Sequence, residues 1–336
     1  MKRRIERREG TEGIALVAAL LLLVVFWLMG AAYLRATLIE VDRGRDETRQ
    51  LRAQYAADGG VNVAIGQIEA ALRANTVTDL IDQSPLALEM PVYMYEAQEG
   101  LVVDPDYRVE VSVAVSDECA RLDLNQAPTS VLRAVLNIDG TRARDIRAGL
   151  PRAEGDASTG GGPRAWFTSV DDLVARRLLT PTEFDALDTE LLTVYTMSDP
   201  GSPGRYLNLN SAPPRILAAV LDVPPETAQQ VAAARPFANL DELVAAAGKD
   251  PAAFAVRPDP NVPGALPQGL GFGSDCYRIR SEASFVGSNG QRAVSARTEA
   301  VVVFVPGGKP VITYWSAANP QTEPQEEGTP QAGDAA

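Results

Sequence analysis

The chain has 336 residues, 46% hydrophobic and 22% charged, with a net charge of -13, two cysteines and no histidine. Without histidine there is no Ser-His or Cys-His nucleophile pair and none of the commonest transition-metal ligand; two distant cysteines in no CxxC pair cannot form a zinc knuckle. So acidic a chain repels phosphate backbones, which makes nucleic acid a poor partner.

The first element in chain order is an uncharged run at residues 14–34, IALVAALLLLVVFWLMGAAYL. As a helix, its 21 residues span ~31 Å at ~1.5 Å per residue, which matches a bilayer core. Lys2, Arg3, Arg4, Arg7 and Arg8 precede it, so the positive-inside rule keeps the N-terminus cytoplasmic and exports the remainder. Three readings compete. A cleaved signal peptide needs a shorter apolar core and a small-residue site after it, whereas Arg35 and a charged helical pattern follow this one. A plain signal anchor is the second. The third is a short basic leader ending in Gly and cut on the cytoplasmic side, and Gly13-Ile14 fits that site. The leader, residues 1–13, carries five basic and three acidic side chains, so cleavage leaves a mature chain at -13 - 2 = -15.

The helical pattern continues to about Leu72, with Leu38 and Val41, Leu51 and Tyr55, and Val61, Ile65, Ile68 and Leu72 sharing faces. An apolar stripe of this kind predicts a helix packed on a sheet, and Gly59-Gly60 predicts a kink in it. Strand patterns follow at residues 91–95, at 108–115, where RVEVSVAV alternates with period two, and at 120–124. Residues 277–285 and 293–305 read as a hairpin joined around GSNG, and residues 311–315, VITYW, as a last strand. Residues 316–336 lack large apolar side chains and are expected to be disordered.

Between about residues 128 and 266 the pattern is helical and alanine-rich. Strands flanking a helical block predict an α+β fold: an N-terminal transmembrane helix packed on a small antiparallel sheet, with a large helical domain inserted into it. The expected divisions are a leader at 1–13, an anchor at 14–34, a helix and first strands at 35–124, the inserted domain at 125–266, returning strands at 267–315 and a tail at 316–336.

The helical block contains a repeat. Unit one (about 122–190) opens with LDLNQAP and later reads FTSVDDL; unit two (about 207–248) opens with LNLNSAP and later reads FANLDEL. Asn125 and Phe167 are 42 positions apart, Asn210 and Phe237 27 apart, and the Gly-rich stretch 151–165 accounts for most of the difference. Asn125 and Asn210 are candidate N-caps or turn formers, Pro128 and Pro213 suit a first helical turn, and Ser169 and Asn239 are candidate caps of a later helix.

Openers of this kind are similar to helix-hairpin-helix modules, many of which bind DNA. Such a module usually carries a Gly-apolar-Gly turn whose N–H groups meet phosphate, but NIDGTRA has only Gly140 and DVPPETA has two prolines and no glycine. Arg142, Arg144 and Arg147 form a basic cluster that reads more readily as a solvated face or a protein contact. No nucleic acid partner is expected. GLGFGSD, at 269–275, fails as a nucleotide loop, since no apolar strand precedes it and no helix follows, and is expected to be a flexible return to the sheet. Cys119 and Cys276 flank the insertion and are a candidate disulfide closing its neck, against the alternative of two buried thiols. Asp104, Asp106, Asp117, Glu118, Asp123 and Asp275 are weak candidate calcium ligands without EF-hand spacing. No motif indicates an enzyme.

The basic leader, Gly13-Ile14 and the apolar run resemble those of type IV pilins and type II secretion pseudopilins. Most members carry Glu at the fifth mature position, where this chain has Ala18. A buried carboxylate is tolerable only when paired, and a subunit with no neighbour ahead has no amine to pair it, so the loss suits a filament tip and departs from a main repeating pilin. The ordered combination of that leader, the anchor, the strands, YLNLNSAPPRIL, RPFANLDEL and LLTPTEFDALDTELLTVYT resembles the type II secretion system protein K family, the large minor pseudopilins, over about residues 13–315. The resemblance implies a structural role at the tip of a periplasmic pseudopilus, promoting its assembly for protein export. It also implies cleavage by the prepilin peptidase with N-methylation at Ile14, a single-pass inner-membrane location, and partners among the other minor pseudopilins and the major pseudopilin, with secretin or exported substrates as further contacts. Alternatives are a minor pilin of a type IV pilus or competence pseudopilus, and a membrane-anchored DNA-binding protein.

Overall fold

The computed structural model describes residues 12–96, 100–148, 150, 166–196, 207–255, 269–290, 292–305 and 307–318. Leader residues 1–11, the Gly-rich stretch 151–165 and tail residues 319–336 lie outside them.

The fold combines a long apolar N-terminal helix, an antiparallel sheet and an inserted set of short helices. Helix α1 (Glu12–Ala74) runs unbroken for 63 residues, about 95 Å at ~1.5 Å per residue. It is long and apolar enough to cross a membrane, and among the described residues none of its apolar window is buried. After the short α2 (Val77–Asp82) come β1 (Leu86–Glu96) and β2 (Gly100–Asp117). The insertion then holds β3 (Leu122–Asp123), α3 (Thr129–Leu136), α4 (Gly140–Ala148), α5 (Asp172–Ala175), α6 (Pro181–Asp185) and β4 (Leu192–Thr193). It continues with β5 (Leu207–Asn208), α7 (Pro214–Leu221), α8 (Pro225–Ala233), α9 (Leu240–Ala247) and β6 (Leu270–Gly271). Strands β7 (Cys276–Gly287), β8 (Arg292–Val303) and β9 (Val311–Ala318) complete an antiparallel sheet of order β1-β2-β7-β8-β9. The last strand thus takes in Ser316–Ala318, which the composition had assigned to the tail.

The period-two pattern of β2 is realised: Val109, Val111, Val113 and Val115 are buried under α1, together with Tyr277, Ile279, Ala283 and Phe285 of β7 and Ala296, Ala300 and Val302 of β8. The helix face against them includes the expected Val61, Ile65, Ile68 and Leu72, joined by Ala53, Ala56, Ala57 and Ala64, while Leu51 and Tyr55 point to solvent. Small side chains let the helix axis approach the sheet.

Gly60 is the closest point. A Cβ there would lie 2.3 Å from Ser281 Oγ and 2.9 Å from Val111 Cγ1, whereas Gly59 has open space. Gly60, and not Gly59, is therefore a contact point within a helix that runs unbroken. Polar ties flank it: Gln54 Nε2 donates to Thr298 Oγ1 at 2.9 Å, Thr298 Oγ1 donates to Asp58 Oδ1 at 2.7 Å, and Arg49 donates to the Tyr107 hydroxyl at 2.8 Å.

These contacts fix direction. Arg49 meets Tyr107 and Gly60 meets Val111 and Val113, so α1 runs along β2 in the same sense. The apolar segment leaves one end of the sheet, and the insertion joins the other end, at Asp117 and Cys276.

The insertion has a single core that includes residues of both repeats, among them Leu132, Ile146, Phe167, Leu192, Leu217 and Phe237. Sequence periodicity could not say whether the two modules form one unit.

Candidate functional site

The two repeats are closed by the same device. In unit one β3 pairs in parallel with β4, Leu122 opposite Leu192; in unit two β5 pairs in parallel with β6, Leu207 opposite Leu270. Within each loop the opener asparagine acts as a staple. Asn125 Oδ1 accepts from Phe167 N at 2.8 Å, and its Nδ2 donates to Phe167 O at 3.0 Å and Val194 O at 3.3 Å. Asn210 Oδ1 accepts from Phe237 N at 2.8 Å, and its Nδ2 donates to Phe237 O and Phe272 O, both at 2.9 Å.

Neither asparagine is an N-cap; those positions are Pro128 and Pro213. The turn-forming side chains are two residues earlier: Asp123 Oδ1 accepts from Asn125 N at 2.7 Å, and Asn208 Oδ1 from Asn210 N at 3.0 Å. Asn239 does cap α9, accepting from Glu242 N at 3.0 Å. Ser169 instead accepts from Asp171 N at 3.1 Å, outside the cap position of α5. GLGFGSD is the closing strand of unit two and its exit to β7, so the repeats extend to about residues 196 and 272, beyond the 190 and 248 read from sequence.

The hairpin turns of both units are occupied by the chain's own groups. Asp139 Oδ1 accepts from Thr141 N at 2.7 Å and Arg142 N at 3.0 Å, which puts a carboxylate where a phosphate would meet the start of α4. Those two amides hold its pKa below the ordinary carboxylate value. In unit two the turn passes through Asp222, at φ 51°, into Pro224, and Lys249 Nζ donates to Asp222 O at 2.5 Å. Two of the three arginines reach across to other segments, and Arg144 stays exposed on its own helix. Arg142 forms a bidentate pair with Glu183, Arg147 donates to Asn125 O at 2.7 Å, and Arg144 Nε donates to Gly140 O at 3.0 Å.

The densest polar network lies at the neck between sheet and insertion. Asp117 Oδ2 accepts from Asn208 Nδ2 at 2.7 Å and from the Ser211 hydroxyl, and Asp117 Oδ1 accepts from the Ser274 hydroxyl. Burial pushes the Asp117 pKa up, against these hydrogen bonds. Glu118, fully buried, accepts from Thr193 Oγ1 at 2.5 Å and from Arg278 Nε and Nη2 at 2.6 and 2.5 Å. Arg278 also pairs with Glu299. Asp123, fully buried on β3, accepts from the Thr196 hydroxyl and from Thr196 N at 3.2 Å. Burial raises its pKa to about 6, partly opposed by those hydrogen bonds and reinforced by the Glu118 charge.

The sequence reading missed Thr193, Thr196 and Arg278. Arg278 shares its strand with Arg280 and Glu282, so the sequence carried no signal that set it apart.

The structure brings Cys119 and Cys276 together in a small buried cluster with Val301 and Val303. They lie there as neighbouring thiols, and burial raises the Cys276 pKa well above the ordinary thiol value. The candidate calcium aspartates are not gathered. Asp117 and Asp123 serve different repeats, Asp106 is exposed, Asp275 Oδ1 lies 3.7 Å from Cys119 Sγ, and the Asp104 side chain is outside the described set. Among the described residues no group of three His, Cys, Asp or Glu is arranged to hold a metal ion. Gly13, Ile14 and Ala18 are all helical in α1, and Ala18 is exposed on its surface.

No family model matches the chain, and no curated protein matches it. Among solved structures it is similar to a chain of the GspK-GspI-GspJ complex from the enterotoxigenic Escherichia coli Type 2 Secretion System, at 13% sequence identity and a TM-score of 0.49, over 82% of this chain and 99% of that chain.

Proposed function

We propose that this chain is a non-enzymatic assembly protein, a minor pseudopilin that forms or caps the tip of a periplasmic pseudopilus in a type II secretion system. The observation that carries the reading is the polarity of the molecule. One unbroken helix joins a membrane-length apolar segment to the sheet, and the bulky two-repeat insertion is held at the end of the sheet remote from that segment. Added mass at that end fits the terminus of a helical filament and clashes inside one. Ala18 in place of a membrane-embedded carboxylate supports the same position, since a terminal subunit has no neighbour ahead to neutralise it. The neck network supports a mechanical role: Asp117 and Glu118 tie the two repeats to the end of the sheet. The hairpin turns support protein contact over nucleic acid, because Asp139 and two prolines replace phosphate-binding amides.

The test is co-expression of the full chain with the other minor pseudopilins and the prepilin peptidase of its source. The expected result is a co-purifying complex, an N-terminus at N-methylated Ile14, loss of export when the gene is deleted, and no salt-sensitive shift of a DNA duplex. An uncleaved N-terminus with no pseudopilin partner, or a DNA complex weakened by salt, would overturn it.

A further inference from the structure

The five-stranded sheet has two edges, and they are built differently. An edge strand exposes unpaired backbone groups, which soluble proteins usually guard with charge or proline. Strand β1 carries Glu89, Pro91 and Glu96 in its sequence. Strand β9, VITYWSAA, has no charge, no proline and no glycine in eight residues. Its Val311, Ile312 and Trp315 are 37%, 47% and 40% exposed. Ile312 pairs with Val302 and Trp315 with Ala300. Both partners are in the core beneath α1, and directly opposed residues share a face, so the two exposed side chains stand on the α1 side of the sheet. The strand is held in place from its other face: Tyr314 packs on Tyr195 with ring centroids 4.8 Å apart, and Thr313 Oγ1 donates to Tyr195 O at 3.2 Å. This edge is held in place with an aromatic anchor beside it, and a one-residue irregularity at Thr313 is what sets Ile312 and Trp315 on the same face.

We propose that the edge of β9 that no other described strand pairs, with Ile312 and Trp315, accepts an extended strand of another pseudopilin; this deepens the functional reading above and rests on it. The segment of the chain that follows β9 does not suit the role. Residues 319–336 include Pro320, Pro324 and Pro330, which lack N–H donors, and Glu323, Glu326, Glu327 and Asp334, with no alternating apolar residues. A second copy added antiparallel on β9 would point two α1 helices in opposite directions, which one membrane does not allow. A partner anchored in the same membrane by a similar helix presents its strands along the same axis, because here α1 runs along β2. The patch is uncharged, so the incoming strand carries apolar residues at alternate positions on the α1 side.

The experiment uses the full chain in detergent, alone and co-purified with the minor pseudopilins of its source. Hydrogen exchange of residues 311–317 is expected to slow ~10-fold or more in the complex. Ile312→Lys and Trp315→Glu are expected to reduce co-purified partner by ~10-fold or more, the loss of one anchor residue, while Ile312→Leu retains it. A complex that forms with β9 exchange unchanged overturns the inference and leaves the functional reading standing. Protection of β9 that depends only on this chain's own concentration also overturns it, in favour of self-association. Absence of any pseudopilin complex removes the functional reading and this inference together.

Discussion

Asp117 and Glu118 are adjacent in sequence and hold opposite halves of the insertion. Asp117 takes hydrogen bonds from Asn208 and Ser211 of unit two, while Glu118 takes one from Thr193 of unit one and fastens it to Arg278 of the sheet. The pair sits where the chain leaves β2, so the orientation of both repeats is set at one point.

Breaking the Glu118–Arg278 pair from one side leaves a buried charge poorly compensated. Glu118→Ala is expected to cost about 3–5 kcal/mol, read as a lower urea midpoint with unchanged slope. Replacing both, Glu118→Leu with Arg278→Met, is expected to recover most of that loss. A double variant as unstable as the sum of the singles would refute the pairing argument.

The two glycines of α1 predict opposite signs. Gly59→Ala adds a methyl in open space and is expected to stabilise by about 0.5–1 kcal/mol through helix propensity. Gly60→Ala drives a methyl against Ser281 and Val111 and is expected to destabilise by about 1–3 kcal/mol. Thermal unfolding of the two single variants decides it; equal shifts would mean that the helix does not pack at Gly60.

Removing an asparagine staple orphans a buried amide and its facing carbonyls. Asn125→Ala and Asn210→Ala are each expected to lose about 3 kcal/mol, given ~1–3 kcal/mol per orphaned group. Asp at either position keeps the acceptor, loses both donors and is expected to fall between. A loss under ~1 kcal/mol at both sites would show that the loops close without the staple.

Stability is expected to depend on pH through Asp123. Its folded pKa of about 6 is above the ordinary 3.8, so the folded form binds the proton more tightly. The stabilisation is complete below about pH 4 and is lost as pH rises through 6. Glu183 works the other way. Pairing with Arg142, with help from Thr180, lowers its pKa to about 2, so its contribution is present above the unfolded value and lost as pH falls toward 2. Unfolding midpoints should therefore peak between roughly pH 4 and 6, and Asp123→Asn should flatten the upper limb. A midpoint that rises steadily from pH 5 to 8 would contradict this.

On the proposed export of the sheet and insertion to an oxidising compartment, the Cys119–Cys276 contact predicts a covalent link. Protein isolated from its own membrane after thiol blocking is expected to show no blocked cysteine, and reduction is expected to lower stability by ~2–4 kcal/mol. Two blocked thiols by mass spectrometry would refute it.

Much of this architecture is written in local patterns. The membrane-length apolar run, the alternation in RVEVSVAV and the paired LNxAP openers each fix an element, because burial against one face imposes a period of 2 or 3.6 on the chain itself. The two-residue strands at Leu192–Thr193 and Leu270–Gly271 are too short to show any period, and for that reason the repeats read shorter than they are.

Tertiary structure decided what local pattern cannot encode. Asn125 looks like a cap until Phe167 arrives from 42 residues away. The alanines of α1, and not its larger Leu51 and Tyr55, face the sheet because Gly60 sets a close approach. The acidic residues at the neck read as a candidate calcium site until Arg278 and the hydroxyls of Thr193, Thr196, Ser211 and Ser274 fill their coordination. The sequence by itself determined the membrane-length apolar run, the inserted order of the elements and the existence of two units. Which groups neutralise the buried carboxylates, and whether the two units share one core, depended on contacts between residues tens to hundreds of positions apart, where the free energy lies in burial and pairing that no single segment contains.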